Sequence, residues 1–310
     1  MLDSLKGEPL LVLDSGNALF RAPGVSDEPM RQRARFILDA MGRLGTKAMA
    51  VGVRDLPGGV DFLKETAKAA GVQLLSANLK KDGKPAFDAS ATFTVNGVTV
   101  GIVGVTAPVA LPDLPGVTVD ATLPAVKAAL KGLKRRDVTI VLAATSYADA
   151  LQLAQELKTQ VDFVIQSGEF RGSQPPQQIE GGSAYVMASA QKGQALSKVE
   201  LSLGSAKGGF IDLTAVERDK QQLAFIESQL KTIEDRLKAA KDPAGTKDLK
   251  ATRDLLRERM KALEKNVDKQ VSPAARTMKQ TWLLLGADVK DDEALKAEVL
   301  KYEPTYAGAH

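Results

Sequence analysis

The sequence predicts an α/β domain, a mixed β-sheet flanked by helices, followed by an antiparallel helical (coiled-coil) hairpin and short tail helices. Two observations carry that reading. Over residues 9–216, short continuous runs of Val, Ile and Leu alternate with amphipathic stretches, as strands buried on both faces alternate with the helices that cover them. From residue 217 the apolar residues recur at a 3-4-3-4 spacing, the seam of two helices packed lengthwise. No stretch approaches the roughly 18 apolar residues that cross a bilayer.

The buried-strand runs are PLLVLDS (9–15), KAMAVGV (47–53), VQLLSAN (72–78), VTIVLAAT (138–145) and VDFVIQS (161–167). Helical patterns lie between them. In 27–44, Ser26 is placed to cap, Pro29 suits the first turn, and Ala34, Ile37, Leu38, Met41 and Leu44 line one face. Similar patterns occupy 60–71, 121–135 and 146–159. FTVNGVTVGIVGV (93–105) reads as a hairpin, with Asn96-Gly97 supplying the positive φ of a tight turn. SAYVMAS (183–189), KVELSL (198–203) and FIDLTAV (210–216) alternate apolar with polar and read as antiparallel additions to the sheet. Beyond 217, Leu223, Ile226, Leu230, Ile233 and Leu237 form one seam, and KDPAG (241–245) interrupts it. A second stripe follows with Leu249, Leu256, Met260, Leu263 and Val267. Two short helices, around Trp282 and around Ala294–Lys301, and an extended YEPTYAGAH close the chain. The expected division is therefore 1–216, 217–271 and 272–310.

The composition of the 310 residues, 44% hydrophobic and 26% charged, is that of an ordinary globular chain and excludes a disordered one. There is no cysteine, and the one histidine is His310. Those two counts exclude disulfides, cysteine nucleophiles, Ser-His-Asp triads, Cys/His zinc sites and haem attachment within the chain. Ser146 and Tyr147 accordingly have no histidine base. A net charge of +4 and 5% aromatic residues give no platform for stacked bases, so no nucleic-acid partner is expected. The opening MLDSLKGEPLLVLDSGN has neither a basic n-region nor a cleavage site. An exported form would be mature or trimmed.

The order of strands and the motifs at their ends resemble the 5′-nucleotidase branch of the calcineurin-like metallophosphoesterases. LLVLDSGNALF (10–20) is similar to that family's strand ending in Gly-Asp, and FILDAMGRLGTKAMAVGVRDLPGG (36–59) to its helix, strand and Gly-Asn-His-Glu loop. LLSANL (74–79), VNGVTVGIVGVTAP (95–108), DVTIVLAATS (137–146) and VDFVIQSGEF (161–170) follow in the family's order. AYVMASAQKGQALSKVELSL (184–203) resembles the strand pair that closes its sheet. The resemblance covers about residues 9–216 and implies a metallophosphoesterase-like fold. It also implies chemistry at two metal ions, held mainly by His and Asn and bridged by a carboxylate. This chain departs from the pattern at those ligands. The bridging Asp position holds Asn17, and Gly-Asn-His-Glu reads Gly52-Val53-Arg54-Asp55. The histidine after VTIVL is Ala144, and the final Gly-His-x-His region reads Ser167-Gly168-Glu169-Phe170.

What remains at the strand C-terminal ends, where open α/β sheets place ligands, is Asp14, Asn17, Asp55, Asn78 and Glu169. All-oxygen donors of this kind suit Mg²⁺, Ca²⁺ or Mn²⁺. The plainer reading, which we take, is that they cap loops and turns. Arg54 and Arg171 would hold a phosphate or carboxylate in the same vestigial cleft. The expectation is a non-catalytic, 5′-nucleotidase-like binding or scaffolding module, with no catalytic residue, no metal and no cofactor within the chain. Its partner would be another protein or a second copy met through the helical hairpin. Such domains also precede multihaem cytochrome c modules, with linkers similar to YEPTYAGAH, which implies haem c downstream, electron transfer, and a periplasmic or cell-surface location. The alternative is an active metal-dependent phosphohydrolase with an oxygen-only metal site.

Overall fold

The apolar runs form the centres of two parallel sheets. The structure, a computed structural model, describes residues 7–172, 174–189, 194–239, 243–267, 272–286 and 289–304. It divides into two compact units, Met1–Ser197 with Trp282–His310, and Lys198–Thr281. The sequence pattern places its divisions at 216 and 271 instead.

In the first unit, β1 (Val12–Asp14), β2 (Thr46–Ala50) and β3 (Gln73–Leu75) pair parallel in that order. A second, six-stranded sheet has four parallel strands at its centre. In order these are β12 (Tyr185–Ser189), β10 (Phe163–Phe170), β9 (Val138–Ala144) and β7 (Val98–Thr106). Antiparallel strands close both edges: β11 (Gln177–Gln178) beside β12, and β6 (Ser90–Val95) beside β7. The β6–β7 hairpin turns through Asn96 and Gly97, at φ 47° and 78°, as the Asn-Gly pair requires. A small antiparallel sheet, β5 (Lys84–Pro85), β4 (Leu79–Lys81) and β8 (Val117–Val119), lies alongside.

Each parallel sheet is covered by helices. Against the three-stranded sheet lie α1 (Glu28–Arg43), burying Ala34 and Leu38, and α2 (Val60–Ala70), burying Val60, Leu63 and Ala67. Against the six-stranded sheet lie α3 (Thr122–Gly132) and α4 (Tyr147–Leu157), whose Val126, Leu130, Leu153 and Leu157 meet Val103, Val141 and Val164. The two sheets approach closely where β7 crosses β3. A Cβ on Gly104 would collide with the Leu75 backbone, so only glycine fits there. After Trp282, helix α7 (Glu293–Tyr302) lies on α1 without a buried residue of its own. It is held by Arg43–Glu298, by Arg21 and Arg33 on Glu303, and by a Phe36–Tyr302 ring stack at 5.0 Å.

The second unit holds the long helices α5 (Leu213–Ala239) and α6 (Pro243–Val267), which pack against each other. Ile226 and Leu230 of the seam are buried, and Leu223, Ile233, Leu237, Leu249, Leu256, Met260 and Leu263 are half-buried. The side chains between them are largely exposed, as one apolar stripe per helix demands. Pro243 opens α6, where its missing N–H costs nothing. A fourth sheet has the order β13 (Ala195–Ser202), β15 (Thr277–Leu284), β14 (Ile211–Asp212), with β14 parallel to β15.

Several sequence expectations are corrected. Trp282 lies in strand β15, not in a helix: Met278 and Gln280 are buried two apart, the strand period. β12 pairs parallel to β10, and β14 parallel to β15, where antiparallel additions were expected. The strand expected over 210–216 ends at Asp212, whose Oδ1 accepts the Thr214 amide as α5 begins at Leu213. Asp27, not Ser26, caps α1, with its Oδ1 accepting the Met30 amide at 2.8 Å. Ser26 instead donates to the Pro57 carbonyl. Leu44 lies past the end of α1 and is exposed. The last part of YEPTYAGAH, from residue 305 through His310, lies outside the described residues.

Candidate functional site

The residues expected to form one cleft separate into three groups, each built around backbone rather than open space. The first is the corner where β1 and β2 end. The chain leaves β1 at Asp14 and turns through Gly16 and Asn17, both at positive φ. A side chain on Gly16 would run into the Ala50 carbonyl. β2 leads into a tight 3₁₀ turn, Val53–Asp55, that points Asp55 back at the first loop. There the Asp55 carboxyl accepts four backbone amides. Oδ2 takes Asn17 at 2.7 Å and Gly52 at 2.8 Å, while Oδ1 takes Ala18 at 2.8 Å and Leu19 at 3.0 Å. Asp55 is wholly buried. Burial pushes its carboxyl up to about 6 against the pull of those amides, and the charge of nearby Asp14 adds to the rise.

Asn17 completes the corner. Its Oδ1 accepts the Arg54 amide at 3.1 Å, its Nδ2 donates to Ser167 Oγ at 3.4 Å, and Ser167 Oγ donates to the Ser15 carbonyl at 2.5 Å. Ser167 thus ties the end of β10 to the end of β1. Asp14 accepts the Gly16 amide at 2.7 Å, and desolvation raises its carboxyl above the usual range. Arg54 contributes its backbone here, its carbonyl accepting the Phe20 amide at 3.0 Å, and its side chain is half-buried.

Asn78 belongs to a second, separate group. Its Nδ2 donates to the carbonyls of Thr106 and Asp120, and its Oδ1 accepts the Thr106 amide at 2.9 Å and the Ser76 hydroxyl at 3.3 Å. Thr106 Oγ1 continues the chain to the Val51 carbonyl at 2.6 Å. The whole set is buried and braces β3 against β7 and β2.

The third group stands at the start of α4. Glu169 is exposed and accepts the Tyr147 amide at 2.9 Å, placing a carboxylate at the helix N-terminus. The Arg171 guanidinium lies 4.6 Å from the centre of the Tyr147 ring. Tyr147 hydroxyl donates to Gln177, and burial raises its phenol while Arg171 pulls it down. Ser146 is the N-cap of α4, accepting the Asp149 amide.

The structure therefore brings together Asp14, Asn17, Asp55 and the Arg54 backbone. Asn78 lies between strands, and Glu169 and Arg171 sit beside α4. Ser167, which the sequence places only in the region matched to the final Gly-His-x-His, joins the first group as a hydrogen-bonding partner, a role that a serine within a strand does not signal by spacing. Its neighbour Gln166 escapes notice for the same reason. Fully buried, Gln166 donates Nε2 to the Thr145 carbonyl at 3.0 Å.

The fold is that of the 5′-nucleotidases and calcineurin-like phosphoesterases. The chain is similar to a 5′-nucleotidase precursor of Thermus thermophilus, with a TM-score of 0.55 and 23% identity over 65% of this chain. It is also similar to the sulfate thiohydrolase SoxB of the same organism, TM-score 0.55 and 20% identity over 64%. The calcineurin-like phosphoesterase YfkN of Bacillus subtilis matches with a TM-score of 0.52 and 19% identity over 64%. The shared region spans 44%, 36% and 73% of those three chains respectively. No sequence-family model and no curated protein matches the chain.

The two metal ions that this fold class implies do not fit the residues present. A carboxylate bridge needs free lone pairs, and all four Asp55 lone-pair directions face backbone amides. Asn17 and Asn78 have likewise turned their oxygens onto amide donors. Among the described residues no three His, Cys, Asp or Glu side chains converge as a metal site. Nor, among those residues, is any helix long and apolar enough to cross a membrane.

Proposed function

We propose that this chain is a non-catalytic, 5′-nucleotidase-like module that serves as a binding or scaffolding domain. One observation carries the reading: Asp55, at the position of the family's Gly-Asn-His-Glu loop, is wholly buried and spends both oxygens on four backbone amides. A group so placed holds two loops together and cannot reach a substrate. Asn17, in the place of the bridging Asp, works the same way through the Arg54 amide. With hydrolysis set aside, the helix pair α5–α6 is the surface offered to a protein partner or a second copy. Its charged outer faces and exposed Phe225 and Leu255 support that role. Attachment to an exported cytochrome c module at the periplasm or cell surface is part of the same reading. It rests on the likeness of YEPTYAGAH to linkers of that kind, and is checked by whether Cys-x-x-Cys-His repeats follow in the gene.

The test is metal content of the purified chain, measured together with hydrolysis of p-nitrophenyl phosphate and AMP in added Mn²⁺. The expected result is substoichiometric metal and no turnover above buffer. Stoichiometric metal with turnover abolished by Asp14→Ala would overturn the proposal in favour of a phosphohydrolase with an oxygen-only site.

A further inference from the structure

Helix α1 uses two of its faces. Ala34, Ile37, Leu38 and Met41, spaced three and one apart, pack into or against the core of the first unit. The neighbouring stripe, Arg33, Phe36 and Arg43, meets α7 instead. The helices α1 to α4 each bury two or more apolar residues, and α7 buries none. Its Leu295, Val299 and Tyr302 are half-buried, and Leu300 faces water.

Charge supplies most of what ties α7 down. Arg43 grips Glu298 with both terminal nitrogens, each at 3.0 Å, while its Nε also holds Asp39 of α1. Glu303 accepts Arg21 at 3.1 Å and Arg33 at 3.0 Å. The side chains of Glu298 and Glu303 each keep 35% of their surface in water, so dissolved ions reach both. Ion pairs as exposed as these contribute little and are screened by salt. The helix is started locally by Asp292, which accepts the Ala294 and Leu295 amides, and Lys296 pairs with Asp291 at 2.9 Å. Yet ten residues are too few to stay helical alone in water, so α7 keeps its shape only while it is docked.

We infer that α7 is a releasable cover on α1: ion pairs seat it at low ionic strength, and screening them lifts it while the rest of the first unit stays folded. Release bares the Phe36 ring and parts Arg21, Arg33 and Arg43 from their glutamates. The outer face of α1 then changes from a covered helix to an arginine-rich strip around one aromatic ring. The inference is independent of whether the strand-end corner binds anything.

The test is hydrogen–deuterium exchange on the full chain between about 0.1 M and about 1 M NaCl, where the screening length falls from about 10 Å to about 3 Å. Protection of residues 293–302 is expected to fall roughly tenfold, and that of α1 to change less than about twofold. The nuclear Overhauser contact between the Phe36 and Tyr302 rings should weaken in parallel. Glu298→Gln with Glu303→Gln removes the pairs without altering helix propensity much. That variant should show the high-salt protection already at low salt and respond no further, with circular dichroism checking that it folds. Tyr302→Ala should lower protection at both salts and keep the salt response. Protection of α7 equal to that of α1 at both salts would overturn the inference in the wild-type chain alone. So would a ring contact that persists at high salt, or a salt response that survives in the folded double variant.

Discussion

The strand-end corner and the helix pair use polar residues in opposite ways. At the corner, Asp55, Asn17 and Ser167 turn inward and bond the backbone of other loops. Along α5 and α6 the charged residues face water, and only a narrow apolar stripe is covered. In the first region a polar residue is a structural part whose removal orphans buried donors. In the second it is replaceable, and the aliphatic seam carries the stability. The residues that look most like ligands at strand ends are thus the ones the fold has already engaged.

The largest expected effect comes from removing the corner's centre. Asp55→Ala leaves four amides without their acceptor, and each buried unsatisfied donor costs about 1–3 kcal/mol. Even with relaxation the unit should lose roughly 4 kcal/mol or more in urea unfolding. A loss below about 1 kcal/mol would break the comparison, because the corner would then be no more structural than the helix surface. Asp55→Asn keeps the shape and gives the pH dependence. A carboxyl raised by burial favours the neutral form in the folded chain. Its contribution is therefore complete below pH 3.8 and lost as pH rises through about 6. The stability of the wild type relative to Asp55→Asn should fall across that window by up to about 3 kcal/mol, at 1.36 kcal/mol per pH unit. A difference that grows instead would mean that the four amides outweigh burial.

Two adjacent residues sharpen the other side. Ile226 is 2% exposed on the seam, and Phe225 beside it is 62% exposed. Ile226→Ala should cost about 2–4 kcal/mol by cavity formation, and Phe225→Ala less than about 0.5 kcal/mol. Unfolding followed by helical signal separates the two. Equal losses would mean that Phe225 is covered in solution, which would support self-association through this pair. Sedimentation at two concentrations would then show it.

Much of this architecture is legible in the sequence, and the reasons differ by element. Continuous apolar runs such as VTIVLAA announce strands buried on both faces, because a parallel sheet covered by helices leaves no polar face to encode. Asn96-Gly97 announces its turn because few other pairs adopt two positive φ values. The heptad stripe announces the helix pair by period alone. Trp282 misleads because Trp-Leu-Leu-Leu has no alternation, and its strand is set by its place between β13 and β14, which are distant in the sequence. The direction of β12 is equally hidden, since a five-residue strand carries no mark of parallel or antiparallel pairing. At the site, the sequence shows that Asp14, Asn17 and Asp55 stand at strand ends. It does not show that Asp55 turns onto the Asn17–Leu19 amides, a contact made across more than thirty residues by a 3₁₀ turn.

The smallest effect tests whether the engagement of strand-end residues extends beyond the corner. Ser146 follows β9, where a hydrolase of this fold class would be searched for reactive groups, yet its Oγ accepts the Asp149 amide at 3.1 Å and donates to the Asp149 carboxylate at 2.7 Å. That is a helix N-cap, helped by Glu169 on the next free amide of the first turn. Ser146→Ala should therefore cost about 1 kcal/mol, and Ser146→Gly or Ser146→Asp only a few tenths, the order that capping alone produces. Rescue by Asp is the decisive part, because a carboxylate replaces a cap but not a nucleophilic hydroxyl. If Asp were no better than Ala, α4 would not depend on this cap. Ser146 would then be open to a task other than capping.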